Sequence, residues 1–442
     1  MIQQRPYQEK GSAFLLEQGR AVLADDPGTG KTNMGLMAAR GRTLILSPAA
    51  LADVWGQELT LWDNPDAEFH WMSYSGICKR IPAEPGKPAS MVVPLPRSEL
   101  PKQWDTIVAD ESHYLKNRKT NWTKVVCDKL KTERLYLLTG TPLPNWGHEI
   151  YMFLKLLHPG DRRFTNYWNW VNEWFVSWKP PWGGTEIKGL QRGVTWEEAA
   201  REWDLADRWL RRTIDDVLPD LPPMTEQTIK VKMTAKQATA YKSMKKDYFA
   251  SLPETGEKIV VWDDGAKHTK LVQLSTGLET LNLEETGSAK LDALDLLMRE
   301  RERPTLIFCA FKNTAEAATR RMEKLGHSVA TVSSQYSLDA RKKSIEAFRQ
   351  GQVDVLVGTV GTMSEGYTLT RADTCIFVER SPRPVTNLQA KRRIRRFGQE
   401  HPTLAINLVT EDTVDDGLSK LLEEKGEDLD LALTGIQLAQ MV

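Results

Sequence analysis

The sequence has little cysteine and no long hydrophobic run, and these two absences limit the classes of protein to which it can belong. Its 442 residues include four cysteines, none of them in a C-x-x-C pair. This scatter argues against a structural zinc site or a disulfide framework, and it fits a reducing compartment. No apolar run approaches the roughly 18 residues of a membrane span, and the polar start MIQQRPYQEK lacks the apolar core of a secretory signal. We therefore expect an intracellular, cytoplasmic protein with no membrane partner.

The chain also lacks a net charge, because 59 basic residues balance 59 acidic ones. Composition alone therefore does not indicate a polyanionic partner, and any basic cleft must arise from folding. One local asymmetry exists, since residues 380–397 include seven basic residues and no acidic one. Taken alone, such a run can be a solvated helix face. The apolar content of 40% is ample for the buried cores of two or three domains.

Short apolar runs rich in β-branched residues alternate with helical stretches in two parts of the chain. In the first part we predict strands at 21–24, 43–46, 106–109 and 135–138, and helices at 31–40, 51–61 and 122–130. In the second part we predict strands at 305–309, 329–332, 353–357, 374–378 and 404–408, and helices at 290–301, 314–325 and 340–348. This alternation predicts an α/β fold in which each part has a mostly parallel sheet flanked by helices.

A tryptophan-rich segment separates the two parts, with eight of the fifteen tryptophans between residues 168 and 209. Trp170, Trp174 and Trp178 recur every four residues, which predicts one helical face that ends at Pro180. Core packing is the commoner role of such a stripe, while stacking on exposed bases or contact with a partner stays open. We predict a first lobe at 1–158, a helical Trp-rich insertion at 159–225 and a second lobe at 226–442.

A glycine-rich turn follows the first predicted strand and opens the first predicted helix. It reads Gly-Thr-Gly-Lys-Thr at 28–32. Backbone N–H groups of such a turn face an anion, Lys31 reaches the terminal phosphates of a nucleotide, and Thr32 would ligate Mg²⁺. The pattern G-x-x-x-x-G-K-T is not complete, since Asp25 stands at the position of its first glycine. The predicted phosphate-binding residues are Gly28, Thr29, Gly30, Lys31 and Thr32.

Two adjacent acids, Asp110 and Glu111, follow the strand predicted at 106–109. An isolated pair of acids can be a solvated loop, but beside a phosphate-binding turn it has a chemical use. Asp110 would hold Mg²⁺, and Glu111 would polarise the attacking water. His113 could link this pair to a neighbouring motif, although a lone histidine is usually a local hydrogen-bonding group.

Phosphoryl transfer also needs cations at the γ-phosphate, where charge spreads over the oxygens in the transition state. Arg393 and Arg396 are the candidates. They lie three residues apart in a helix predicted within 389–399, so both would project from a similar face. Because both belong to the second predicted lobe, they would reach ATP only when the lobes close.

The ordered set of motifs resembles the superfamily two helicases, and most closely their Swi/Snf branch. The matching segments are 5–8 for the Q motif, 23–32 for motif I, 46–48 for Ia, 110–113 for II, 139–142 for III, 306–309 for IV, 358–366 for V and 389–399 for VI. The resemblance runs from residue 5 to about residue 410. It implies two RecA-like lobes, ATP as substrate, Mg²⁺ as cofactor and Gln8 on the adenine base.

The resemblance also implies DNA, duplex or branched, as the partner. In this family the nucleic acid lies across both lobes, and the matching contact positions are Ser47, Thr141 and Thr359. Contacts to phosphate would give sequence-tolerant, salt-sensitive binding. Motif V lacks the paired glycines usual in the branch. The nucleic-acid contacts that the resemblance would assign to Glu365 and Gly366 depend on this motif. The chain stops about 40 residues after motif VI, which implies a reduced enzyme of the bacterial or phage type rather than a nucleosome remodeller.

We therefore predict a DNA-dependent ATPase that moves along duplex DNA through alternating closure and opening of its lobes. Two alternatives stay open. One is a helicase, annealing or branch-migration enzyme that acts on forked DNA, and the other is an ATP-gated DNA-binding clamp without processive movement. The Trp-rich insertion could be a wedge, a minor-groove contact or plain packing. The sequence does not specify a protein partner.

Overall fold

The chain folds into two α/β units, each built on its own six-stranded parallel sheet. One unit contains residues 1–219 and 425–442, and the other contains residues 220–424. The computed structural model describes residues 3–80, 92–94, 103–143, 145–180, 183–247, 249–251, 258–260, 264–281, 287–363 and 367–440. Within these ranges no helix is both long enough and apolar enough to cross a membrane.

The first unit begins with a helix and then alternates strands with helices. Its helices are α1 Pro6–Gln18, α2 Lys31–Ala38, α3 Ala52–Leu61, α4 Asn121–Asp128, α5 Tyr151–Leu157, α6 Tyr167–Trp174, α7 Trp196–Glu202 and α8 Ile214–Val217. Its strands are β1 Arg20–Leu23, β2 Gly41–Ser47, β3 Ala67–Ser73, β4 Cys78–Arg80, β5 Val92–Pro94, β6 Gln103–Asp110, β7 Lys131–Leu138, β8 Phe175–Trp178, β9 Glu186–Leu190 and β10 Trp209–Leu210.

The main sheet of the first unit has the strand order β10-β1-β7-β6-β2-β3, and every neighbouring pair is parallel. Its central strands end in unbroken runs of buried residues, because helices cover both faces of a parallel sheet. The turns that follow β1, β2, β6 and β7 all leave the carboxyl edge of this sheet. That edge is where ligands bind in open α/β sheets, and the predicted motifs I, Ia, II and III lie there.

The second unit repeats this plan. Its strands are β11 Met224–Val231, β12 Phe249–Ser251, β13 Lys258–Val260, β14 Thr305–Cys309, β15 Val329–Val332, β16 Val355–Thr359, β17 Thr374–Phe377 and β18 Thr403–Thr410. Its helices are α9 Ala235–Asp247, α10 Asp264–Thr276, α11 Ala289–Met298, α12 Lys312–Lys324, α13 Leu338–Arg349, α14 Val360–Met363, α15 Pro384–Lys391 and α16 Val414–Ala439. The sheet order is β11-β18-β17-β14-β16-β15, again parallel throughout.

A buried carboxylate anchors the loops at the carboxyl edge of the second sheet. Glu379, which follows β17, accepts hydrogen bonds from the N–H groups of Ala310 at 2.9 Å and Phe311 at 3.2 Å. The hydroxyls of Thr276 and Thr314 donate to its other oxygen at 2.7 and 3.0 Å. Burial raises the pKa of this carboxyl group. Four donors satisfy the buried acid, so it joins the ends of β14 and β17.

The last helix, α16, differs from the predicted domain plan. The prediction places residues 226–442 in one lobe, whereas residues 425–442 belong to the first unit. Leu429, Ala432 and Ile436 are buried in the same hydrophobic core as the first sheet. Their spacing of three and four residues puts them on one face of α16.

The Trp-rich segment packs into the core of the first unit and does not form a separate domain. Trp170 and Trp203 are each 1% exposed, and their ring centroids lie 5.3 Å apart. The ring of Trp174 meets that of Trp203 edge-on at 5.2 Å. Trp170 and Trp203 belong to one core cluster that also includes residues of β1, β6 and β7, and the partly buried Trp174 packs against it. The packing interpretation is confirmed for these tryptophans.

The helical stripe predicted to include Trp178 is wrong at that residue. Helix α6 ends at Trp174, and Phe175 begins strand β8, which pairs antiparallel with β9. The run Phe-Val-Ser-Trp favours a strand, and the hairpin supplies its hydrogen bonds. Trp178 is therefore on a strand and is 44% exposed, and Trp168 on α6 is 42% exposed. Trp182 lies outside the described residues.

Packing predicts different effects for two tryptophans of helix α6. We expect Trp170→Ala to cost about 3–5 kcal/mol in unfolding free energy, because it leaves a large cavity in the core. Trp168→Ala is the matched control on the same helix, and it should cost less than about 1 kcal/mol. Denaturant unfolding of both variants measures the difference. Equal losses would contradict the assignment of Trp170 to the core.

Candidate functional site

The turn after β1 has the backbone shape of a phosphate-binding loop. Gly28 and Gly30 have φ angles of 93° and 82°, a left-handed conformation that a side chain disfavours. Gly30 is the residue before helix α2, which begins at Lys31. The Lys31 ammonium donates to the main-chain oxygens of Asp25 at 2.7 Å and Asp26 at 3.0 Å. The loop thus holds a positive charge at the amino end of a helix, where anions bind.

The start of helix α1 packs directly on this loop. The Tyr7 hydroxyl and the Gln8 amide both donate to the Thr29 carbonyl, at 2.9 and 3.2 Å. A Cβ atom at Gly30 would lie 2.3 Å from Gln8 Nε2, so a side chain there would collide with the glutamine. Gln8 is buried at this position. Its contact with adenine stays a prediction.

The two acids of the predicted motif II lie where β6 ends. The Asp110 carboxylate is buried and accepts hydrogen bonds from Trp55 Nε1 at 3.0 Å and from the Glu111 N–H at 2.9 Å. Burial, together with the neighbouring Glu111 charge, raises the pKa of Asp110 to about 7. Glu111 has a φ of 47°, a left-handed conformation that is uncommon outside glycine and clusters at functional sites.

The phosphate loop and the acids share one electrostatic site. Burial lowers the pKa of Lys31, and the charges of Glu111, Asp25 and Asp110 oppose this shift. A partly buried ammonium surrounded by carboxylates is suited to a ligand that carries both phosphate groups and a divalent cation. The Asp110 carboxylate and the Thr32 hydroxyl are the hard oxygen donors that Mg²⁺ prefers. The residues present therefore fit the predicted metal nucleotide.

His113 joins motif II to motif III, as the sequence suggested it could. Its Nδ1 lies 3.2 Å from the Glu111 carboxylate and 3.3 Å from the Thr139 hydroxyl. The Thr141 hydroxyl lies 3.5 Å from the same nitrogen. One side chain therefore connects Glu111 to the turn after β7.

The three predicted DNA contacts differ in accessibility. Ser47 is completely buried, and its hydroxyl accepts from Trp71 Nε1 at 2.8 Å and donates to the Pro48 carbonyl at 3.3 Å. This hydroxyl therefore has partners within the protein, and its contact with phosphate stays a prediction. Thr141 is 4% exposed. Thr359 in the second unit is partly exposed and hydrogen-bonds Thr362 at 2.6 Å. Contact of the last two with DNA stays a prediction.

The helix predicted across residues 389–399 is also wrong. Helix α15 ends at Lys391, and Arg393 and Arg396 lie in the turns that follow. Hydrogen bonds to the loop at 367–372 replace the helical pattern: the Arg393 guanidinium donates to the Tyr367 carbonyl at 2.9 Å, and Arg396 Nη1 donates to the Thr368 hydroxyl at 3.0 Å. Arg393 is only 3% exposed. Their role at the γ-phosphate stays a prediction, and Glu365 and Gly366 of motif V lie outside the described residues.

Sequence reasoning missed one buried charge pair at the phosphate loop. Asp25, the residue that departs from the expected glycine, is completely buried and forms a salt bridge with Arg212. The two residues are 187 positions apart. The mismatch at Asp25 was the only sign in the sequence, and it did not identify the partner.

Two protein-family models match the chain. The model of the SNF2-related domain matches residues 92–282, and that of the helicase conserved C-terminal domain matches residues 289–398. The Sulfolobus solfataricus SWI2/SNF2 ATPase core in complex with dsDNA is a similar solved structure, with a TM-score of 0.40 and 20% sequence identity. The match covers 100% of this chain and 95% of the chain in that structure.

Curated relatives match nearly the whole chain at low identity. The chromodomain-helicase-DNA-binding protein 1-like of Mus musculus is 25% identical over 94% of this chain and 48% of its own length. The SWI/SNF-related matrix-associated actin-dependent regulator of chromatin subfamily A-like protein 1 of Drosophila melanogaster is 24% identical over 96% of this chain and 55% of its own length. The DNA annealing helicase and endonuclease ZRANB3 of Mus musculus is 23% identical over 97% and 41%. The chain spans about half the length of these relatives.

The geometry around Lys31 predicts that this lysine is indispensable for nucleotide turnover. We expect Lys31→Ala to abolish ATP hydrolysis, because the terminal phosphates lose their positive partner. Glu111→Gln should retain nucleotide binding and lower kcat by about 10²–10⁴-fold, as for loss of a general base. Steady-state ATPase kinetics and binding of a fluorescent ATP analogue separate the two effects. Lys10→Ala, at an exposed lysine of α1, is the control. Near-normal turnover by Lys31→Ala would contradict the assigned loop.

The two arginines after α15 predict a second kinetic signature. If one of them acts on the γ-phosphate, its replacement by alanine should retain ATP binding and lower kcat on the order of 10³-fold. Arg393→Ala should also destabilise the second unit, because the buried hydrogen bond to Tyr367 is lost. Thermal unfolding beside the kinetics distinguishes these causes. An unchanged kcat in both variants would remove this motif from the mechanism.

Proposed function

Because the chain belongs to the Swi/Snf type of helicase-like ATPases of superfamily two, we propose that it is a DNA-dependent ATPase that translocates along duplex DNA. One observation carries the proposal. The partly buried Lys31 ammonium lies beside the carboxylates of Asp110 and Glu111, at the carboxyl edge of a parallel sheet. This is the arrangement that binding and hydrolysis of a nucleoside triphosphate require.

Each residue of the site has a defined part in the proposed reaction. The N–H groups of the glycine turn and the Lys31 ammonium bind the phosphates, while Gln8 faces the base. Glu111 orients the attacking water and accepts its proton. Mg²⁺, when bound by Thr32 and Asp110, would neutralise charge on the phosphate oxygens. Arg393 and Arg396 would complete the site from the second unit on closure.

Movement would follow from a change in grip during the ATP cycle. His113 contacts both Glu111 and the turn that contains Thr139 and Thr141. We propose that this contact carries the state of the nucleotide to the DNA-binding turn. Alternating closure and opening of the two lobes, with Thr141 and Thr359 on different lobes, would then shift one grip relative to the other.

A second candidate function is annealing or branch migration at forked DNA. The relative named as a DNA annealing helicase and endonuclease, similar over 97% of this chain, favours this possibility. Trp168 and Trp178 are 42% and 44% exposed, so part of each side chain could contact unpaired bases. The third reading, an ATP-gated clamp, differs from both because its ATP turnover would be too slow to support movement.

We also propose an intracellular setting, such as a bacterial cell or a phage-infected one. The support is chemical. All four cysteines are free thiols, and Cys78, Cys309 and Cys375 are buried, as expected in a reducing compartment.

The nucleic-acid specificity can be measured in two steps. We expect duplex DNA to stimulate ATP hydrolysis more than single-stranded DNA or RNA, with a stimulation that weakens as salt rises, because phosphate contacts dominate binding. The protein should then displace a third strand from a blunt triplex in an ATP-dependent reaction, and Lys31→Ala should not. Displacement or annealing only on forked DNA would favour the second candidate. ATP binding without strand displacement on any substrate would favour the clamp.

A further inference from the structure

A short segment that follows the Trp-rich region runs beside the phosphate loop. We call residues 209–214 the loop clamp. Its first two residues form β10, which pairs in parallel with β1. The pairing continues past both strands, since the Ala24 N–H donates to the Leu210 carbonyl at 2.7 Å and the Asp26 N–H donates to the Arg212 carbonyl at 3.0 Å. The backbone of the clamp thus holds the first part of the phosphate loop.

Two consecutive acids of the loop face two consecutive arginines of the clamp. Arg212 Nε lies 3.2 and 3.1 Å from the two Asp25 carboxylate oxygens, and Arg212 Nη2 donates to the second of them. The Arg212 N–H adds a bond of 2.9 Å. Asp26 accepts from the Ile214 N–H at 2.9 Å and lies 3.5 Å from Arg211. Both acids are nearly inaccessible to solvent, with exposed fractions of 0% and 1%.

Arg212 also reaches the other side of the loop. Its Nη1 donates to the Tyr7 carbonyl at 2.5 Å, and its guanidinium lies 5.6 Å from the centre of the Tyr7 ring. The Tyr7 hydroxyl in turn bonds the Thr29 carbonyl, while Lys31 bonds the Asp25 carbonyl. One guanidinium therefore joins both ends of the phosphate loop to the start of α1.

We propose that Arg212 is a positioning residue for ATP hydrolysis, which acts through Asp25 on the phosphate loop and on Lys31. The inference rests on the proposed function, because its readout is ATP turnover. A glycine at position 25 would need no partner, whereas a buried aspartate does. Without Arg212, the Asp25 carboxylate would compete with the nucleotide phosphates for the Lys31 ammonium. The paired arginine removes that competition and leaves Lys31 available to the substrate.

The clamp also explains how the Trp-rich region is connected to the site. Trp209, the first residue of the clamp, is completely buried, and its ring packs against Phe153 of α5. Three residues later, Arg212 contacts the phosphate loop. The same short segment therefore contacts both the core of the Trp-rich region and Asp25.

Four variants test the proposal: Arg212→Ala, Arg212→Lys, Asp25→Asn and the double variant Arg212→Ala/Asp25→Asn. For Arg212→Ala we expect kcat for ATP to fall on the order of 10²-fold, with a smaller change in KM, because the reacting groups are misplaced. Arg212→Lys retains the charge but not the planar fork, so its kcat should lie between those of the wild type and of Arg212→Ala. The double variant should recover at least about tenfold in kcat over Arg212→Ala, since no unpaired carboxylate remains.

A second arginine of the same edge is the matched control. Arg208 Nη1 donates to the Arg20 carbonyl at 3.2 Å, at the opposite end of β1 from the phosphate loop. Arg208→Ala should hold kcat within about twofold of the wild type, whereas a loss equal to that of Arg212→Ala would show a general effect on the strand. Circular dichroism and thermal unfolding report on folding. If Arg212→Ala does not fold, the kcat values of Arg212→Lys and of the double variant test the positioning role instead.

Three results would overturn the positioning role. The first is a folded Arg212→Ala or Arg212→Lys variant with unchanged kcat, and the second is a double variant no more active than Arg212→Ala. The third is a loss of kcat in Arg208→Ala equal to that in Arg212→Ala. Turnover by the wild type that Lys31→Ala abolishes independently establishes the ATPase activity on which the inference rests. Failure of the positioning role is thereby distinguished from failure of the assignment as an ATPase.

Discussion

The proposed nucleotide site depends on how the protein holds one partly buried positive charge. The Lys31 ammonium is held by two main-chain carbonyls of its own loop and is surrounded by the carboxylates of Asp25, Asp110 and Glu111. Such a charge is tolerated in an interior only when its surroundings compensate it. The left-handed glycines, the ends of β1 and β6 and the segment at 209–214 all serve this requirement. The same compensation leaves the ammonium ready to meet phosphate oxygens.

The central strands could be predicted from the sequence because their signal is strong. The central strand Thr305–Cys309 coincides with the predicted range, since buried parallel strands are continuous runs of β-branched and apolar residues. Val329–Val332 is an edge strand that the prediction also matched, because three of its four residues are β-branched. Two other edge strands lack that signal. Ala67–Ser73 is only half buried, and Met224–Val231 contains a polar stretch with mostly exposed side chains. Their pairing depends on the neighbouring strand and not on their own composition.

The residues of the candidate site fall into the same two groups. Some could be predicted from the local sequence, and the positions of others depend on residues far away in the chain. The glycine turn and the acids at 110–111 could be found because each follows a recognisable strand. Tertiary hydrogen bonds decided the rest. The loop at 367–372 draws the residues after Lys391 out of a helix, and Trp71 takes up the Ser47 hydroxyl. The partner of Asp25 is 187 residues away, a distance over which a single sequence offers no local signal.

The course of helix α16 has a consequence for the order in which the chain can fold. The second unit is contiguous and ends at Glu424, whereas the first unit needs residues 425–442 to fill its core. During synthesis the polypeptide emerges amino end first. The sheet that contains the glycine turn would thus be made early but would lack Leu429, Ala432 and Ile436 until the ribosome has finished the second unit. The second unit can fold as soon as it has been synthesised, whereas the first unit can complete its core only after residues 425–442 have been synthesised.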